Sequence, residues 1–95
     1  MKALQLISPR QFQAVEVARP QIGSDQILVR LEKVVLCGSD IPKFTGIWRG
    51  LHYPLPPGMP IHECVGVVVE SRSPRFQEGD RVVAVPLGDR GLAEY

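Results

Sequence analysis

At 95 residues the chain is one small domain at most, near the lower end of the usual range of about 50 to 250 residues. Its hydrophobic fraction of 44% and charged fraction of 22% are those of an ordinary globular protein, not of a disordered or membrane chain. The net charge of +1 comes from eleven basic and ten acidic residues scattered along the chain, which leaves no cationic stripe for nucleic acid or lipid headgroups.

Residues Lys2 to Ile7 alternate loosely and suit a short strand. Ser8-Pro9-Arg10-Gln11 breaks the pattern and Phe12 to Val17 resumes it, so the two runs predict a hairpin. Pro20 and Gly23 mark the exit. The run Gln26 to Leu36 is long, aliphatic and partly alternating, and is expected to be a central strand ending at Cys37. Ser39-Asp40 then reads as a helix cap, with Pro42 in the first turn and Thr45-Gly46 as the stop.

Ile47 to Met59, with three prolines and two glycines, reads as a long connection of the kind that carries function or stays poorly ordered. Its Trp48, His52 and Tyr53 either line a pocket or cover the nearest edge of the core. Ile61 to Ser71 predicts a second long strand, rich in valine, in which Gly66 marks a bulge or a close backbone approach. Two turns, Ser73-Pro74-Arg75 and Phe76 to Asp80, lead to a strand over Arg81 to Val85. Pro86 to Gly91 is a further connection, and Leu92 to Tyr95 looks like the start of a last strand. Many short strands with almost no helical periodicity argue for a small β-barrel or sandwich.

The opening residues lack a signal-peptide core, and no apolar run approaches the roughly 18 residues of a membrane span. A cytoplasmic location is the expectation. Two cysteines, Cys37 and Cys64, fit buried or metal-bound thiols better than a secreted disulfide scaffold.

The chemistry-bearing residues are Cys37, Ser39 and Asp40, together with His62 and Glu63. A thiol, a hydroxyl and an imidazole beside a carboxylate are able to share one metal and one substrate hydroxyl. Zinc takes Cys and His in tetrahedral geometry, and a catalytic site keeps one position open. The spacing of Cys37 and His62 is not that of a zinc finger, and the other reading is a buried free cysteine with an unrelated surface histidine. Geometry adds a constraint: in a regular strand His62 and Cys64 share a face and Glu63 points away. Either the backbone is irregular there or Glu63 is not a direct ligand. Cys64 is expected to be a core thiol.

Taken in order, Cys37-Gly38-Ser39-Asp40, Met59-Pro60-Ile61-His62-Glu63 with Gly66 and Glu70, Gly79-Asp80-Arg81-Val82 and Leu92-Ala93-Glu94-Tyr95 resemble the amino-terminal domain of zinc-dependent medium-chain alcohol and polyol (sorbitol-like) dehydrogenases. The resemblance runs from Lys2 to Tyr95. It implies a mostly β fold, a GroES-like partly open β-barrel with one or two short helices. It also implies a catalytic zinc on Cys37 and His62, with Glu63 as an exchangeable or supporting ligand. Ser39 would take the proton of the substrate alcohol and Asp40 would order the site. A Lewis-acidic metal beside the alcohol lets hydride leave carbon without a strong base.

The sequence departs from the family pattern in four places. Ile61 stands where many members have glycine. Ile41-Pro42-Lys43 lacks the histidine that many members use to pass the proton to solvent. The four-cysteine lobe is missing, because Pro86 to Gly91 joins directly to the final block, so no structural zinc is expected. No Gly-x-Gly-x-x-Gly occurs, so NAD(P) is expected only with a nucleotide-binding domain that residues 1–95 lack. The expectation is therefore an incomplete GroES-like catalytic domain, inactive alone, for a small-molecule alcohol or polyol. Surface left uncovered by the missing half would favour self-association. The competing reading is a stand-alone GroES-like binding or assembly domain with a relic metal site. A co-chaperonin is disfavoured by the lack of an exposed aliphatic docking loop.

Overall fold

The computed structural model describes residues 1–95. Strands β1 (Lys2–Ser8) and β2 (Gln11–Glu16) form the expected antiparallel hairpin, turning through Arg10 at a φ of 65°. Strands β3 (Ile27–Val35), β4 (Glu63–Ser71) and β5 (Arg81–Ala84) form a second antiparallel sheet in the order β3-β4-β5. The single α-helix, α1 (Asp40–Thr45), follows the cysteine and stops at Gly46, whose φ of 82° allows its N–H to bond back to the Pro42 carbonyl. A short 3-10 turn spans Leu87–Asp89. No helix is long and apolar enough to cross a membrane.

The sheets are not closed into a complete barrel, and the architecture is that of a mostly β, partly open one. Two connections hold it together. The loop expected to be structureless lies along the free edge of β1, where Leu55 N–H and Gly58 N–H donate to the Leu6 and Leu4 carbonyls. The terminal stretch makes only one strand bridge, Ala3 to Ala93. It nonetheless joins both sheets: Leu4 N–H donates to Leu92, Glu94 N–H to Lys2, and Leu31 N–H to Glu94. Backbone groups left unpaired in a half-buried seam are costly, which is why these irregular stretches still take ladder-like bonds.

The core is Ala3, Leu6, Ile22, Leu28, Leu55, Ile61, Cys64 and Val68. β3 is not the central strand that its length suggested. The continuous valine run puts β4 between two partners, whereas the charged Arg30, Glu32 and Lys33 suit β3 to the edge. Gly66 shows both predicted signatures. The register shifts opposite it, between Leu31 and Lys33, and a Cβ there would lie 2.2 Å from the Arg30 carbonyl oxygen. An open-sided apolar cavity of about 670 Å³ runs between the sheets, with Ile22, Leu28 and Tyr95 in its wall. β5 lies along its open side, where Val83, also in the wall, is 83% exposed.

Candidate metal centre

Cys37 leaves β3 two residues past its last paired position and enters a turn in which Asp40 N–H donates to the Cys37 carbonyl at 3.0 Å. The Ser39-Asp40 cap takes an unexpected form. Ser39 occupies the N-cap position but its hydroxyl makes no capping bond. Instead the Asp40 carboxylate reaches back, and Oδ2 accepts from the Cys37 backbone N–H at 2.8 Å. Asp40 is 1% exposed, the only buried charged side chain in the molecule. Its other oxygen, Oδ1, lies 3.3 Å from His62 Nδ1. The two atoms approach off the line of a hydrogen bond, so both stay buried without a hydrogen-bonded partner.

His62 and Glu63 arrive from the other side. β4 begins only at Glu63, so His62 lies outside regular strand geometry. Ile61 beneath it is buried, and its carbonyl accepts from Gly91 N–H at 2.8 Å. This local departure resolves the conflict between strand alternation and a shared site. One ligand atom from each of Cys37, His62 and Glu63 lies within 4.8 Å of the others. Cys64, the next residue of the strand, points into the core, and burial pushes its thiol up. Ser39 is exposed at the mouth of the cluster.

In the metal-free cluster both titratable groups shift toward their charged forms. The Ser39 hydroxyl is the largest influence on Cys37 and holds its thiol below the ordinary 9.0. The Ser39 backbone N–H and His62 act in the same direction against burial and the Glu63 charge. For His62 burial is the largest single influence and disfavours the imidazolium. The Pro60 carbonyl, Asp40, Cys37 and Asp89 together outweigh it, and its pKa lies above 6.5.

These shifts have opposite signs in stability. His62 contributes fully below its unfolded pKa and loses that contribution as pH rises through the raised folded value. Cys37 contributes fully above its unfolded value and loses it as pH falls through the lowered folded one. Urea midpoints of metal-free protein between about pH 6 and about pH 8 are expected to show the His62 loss with rising pH. A His62→Gln chain should lack that limb. An identical profile in the variant would show that His62 has no shifted pKa.

The donor set suits a divalent metal of borderline softness. Tetrahedral zinc holds sulfur and nitrogen about 3.5 Å apart, so donors already within 4.8 Å need close by only about 1 Å. Asp40 beside Nδ1 leaves the other ring nitrogen as the ligand atom, the usual carboxylate–histidine arrangement around zinc. The cluster therefore fits the metal that the resemblance implied.

Trp48, His52 and Tyr53 separate in the structure. The Tyr53 hydroxyl donates to the Lys43 carbonyl and ties the loop to α1. Trp48 lies over Lys43, with Nζ 5.8 Å from the ring centroid. His52 is exposed. Sequence reasoning missed one pair beside the cluster, Lys43 and Asp89, which lie 46 residues apart and meet at 3.2 Å.

The profile of the alcohol dehydrogenase GroES-like domain family matches residues 23–94. The acryloyl-coenzyme A reductase of Sulfurisphaera tokodaii is 31% identical over 98 residues, covering 100% of this chain and 28% of that protein. The sorbitol dehydrogenase of Bacillus subtilis is 32% identical, with 90% and 25% covered. Among solved structures, S. aureus TarJ superposes with a TM-score of 0.68 at 32% identity, covering 98% of this chain and 27% of that one. A zinc-dependent alcohol dehydrogenase 2 from Streptococcus pneumonia gives 0.69 at 28% identity, with 87% and 24% covered. The chain thus spans about a quarter of the length of the relatives it matches.

Proposed function

Because the chain belongs to the alcohol dehydrogenase GroES-like domain family, we propose that it is the metal-holding portion of a zinc-dependent alcohol or polyol dehydrogenase that transfers hydride to NAD(P). The observation that carries this reading is the convergence of Cys37, His62 and Glu63 donors around buried Asp40. Cys37 and His62 are the ligands, and Glu63, the exposed member, is the exchangeable or supporting one. The zinc would supply Lewis acidity toward the alcohol oxygen. Ser39 Oγ, exposed beside the sulfur, accepts the alcohol proton while passing its own hydroxyl proton to the solvent it faces. Asp40 fixes the Cys37 backbone through Oδ2 and faces His62 through Oδ1.

NAD(P) would be held by a nucleotide-binding half that residues 1–95 do not contain. With a quarter of its relatives' length, the piece is expected to hold metal without turning over substrate. Two cysteines cannot supply a four-cysteine structural site, so the stoichiometry expected on equilibrium dialysis is about one zinc per chain, the ligand count of a single site. A chain that takes up no zinc and is not stabilised by it would favour the stand-alone binding or assembly domain.

Asp40 gives a second test. Asp40→Ala leaves the Cys37 N–H without its acceptor, a loss of about 1 to 3 kcal/mol. Loss of a group behind a ligand also weakens metal about 10- to 100-fold. Urea denaturation and zinc competition against a chelator measure the two effects separately. Wild-type values in both would remove Asp40 from the site.

A further inference from the structure

A second pair of charges braces the site, on the same face of α1 as Asp40. Positions three apart on a helix are neighbours, so Lys43 follows Asp40 on one stripe. Asp40 presents an anion to His62, and Lys43 presents a cation to Asp89. Lys43 Nζ donates to Asp89 Oδ2 at 3.2 Å, and the lysine side chain is only 14% exposed, with Trp48 on its other side.

Asp89 belongs to a turn that is fastened directly to the histidine segment. Gly91 N–H donates to the Ile61 carbonyl and Leu92 N–H to the Gly58 carbonyl, each at 2.8 Å. A Cβ on Gly91 would meet Cys64 Sγ at 2.6 Å and the Ile61 carbonyl oxygen at 2.8 Å, so the turn has no slack against the segment that carries His62. Neither α1, six residues long, nor the three-residue 3-10 turn is long enough to be stable by itself. A link between them therefore sets their spacing.

We propose that Lys43 and Asp89 are a positioning pair that locks the Leu87–Asp89 turn onto α1 and so holds His62 in register with Cys37. The inference rests on the reading of Cys37, His62 and Glu63 as metal ligands. It assigns work to Lys43, at a site where the sequence was notable only for lacking a histidine. The same short Pro86–Gly91 link that replaces a cysteine lobe then serves as a brace. Asp89 also stands near enough to favour the His62 imidazolium, which agrees with the geometry.

The test is cobalt(II) titration of the whole chain, followed by the sulfur-to-cobalt absorption band, with urea denaturation of the same samples. Asp89→Asn removes the charge while keeping a residue that tolerates the left-handed φ of 55°. Lys43→Met keeps the apolar stem against Trp48. Both are expected to bind cobalt about tenfold more weakly and to shift the band, while Lys43→Arg retains affinity. Unchanged affinity and spectrum in both charge-removing variants would overturn the proposal. A lowered urea midpoint with wild-type affinity and spectrum would also overturn it, because the pair would then be structural only. Absence of cobalt binding by the wild-type chain is a different failure: the metal-site reading itself falls, and the positioning role with it.

Discussion

Replacing Cys37 by serine is expected to strip the chain of its metal. Wild-type protein titrated with cobalt(II) should develop a sulfur-to-metal band that saturates with the zinc-competed site. The Cys37→Ser chain should show no such band, and its affinity should fall by more than the roughly 10- to 100-fold typical of losing an outer partner. The physical reason is specific to this thiol. Ser39 holds Cys37 toward the thiolate, the form that binds metal, and a serine hydroxyl in the same place keeps its proton. Cys64→Ser is the control. That sulfur is buried in the core and pushed toward the neutral thiol, so its removal should leave the band intact. A band that survives Cys37→Ser and vanishes with Cys64→Ser would reverse the ligand assignment.

The second large effect concerns the sheet whose strands β3 and β4 lead to Cys37 and away from His62. Gly66→Ala would put a methyl 2.2 Å from the Arg30 carbonyl oxygen and 2.7 Å from Val29 Cγ1. The first obstacle is backbone, so relief requires β3 to move away from β4 and break the ladder between them. Overpacking with no flexible atom to yield costs about 3 kcal/mol or more. That is a large part of the 5 to 15 kcal/mol that holds an ordinary domain together, and a chain of this size is at the low end. Circular dichroism and urea melts should find the variant mostly unfolded or with a sharply lowered midpoint. Gly38→Ala, whose Cβ would have nothing within 4 Å, should stay within about 0.5 kcal/mol of wild type. Equal behaviour of the two variants would refute the packing argument.

The strands were legible because alternation and valine content are local properties. The Cys37 turn and the His62-Glu63 pair were legible because their residue types carry chemistry in a recognisable order. Three features were not readable. The length and hydrophobicity of β3 point to a central strand, but they do not reveal which strand has two partners. Strand alternation sets Glu63 against His62, and nothing in the sequence says that β4 begins one residue after the histidine. Lys43 and Asp89 looked like two ordinary surface charges, because a contact across 46 residues depends on how the two connections fold back. The loop from Ile47 to Met59 teaches the same lesson. Its prolines and glycines excluded a strand, yet Leu55 and Gly58 still supply the hydrogen bonds that the edge of β1 lacks.

The stitching of the terminal stretch to both sheets also sets an order of events. Lys2 N–H bonds to the Glu94 carboxylate across 92 residues, and the links to Leu4 and Leu31 come from the same short segment. Contacts of such long sequence separation form late, since chain closure must come before any contact can reward it. During synthesis at about 5 to 20 residues per second, the β1–β2 hairpin therefore waits several seconds with one strand edge open. The residues that finish the seam are made long after the hairpin they close, and until then the newborn chain is exposed to wrong strand partners.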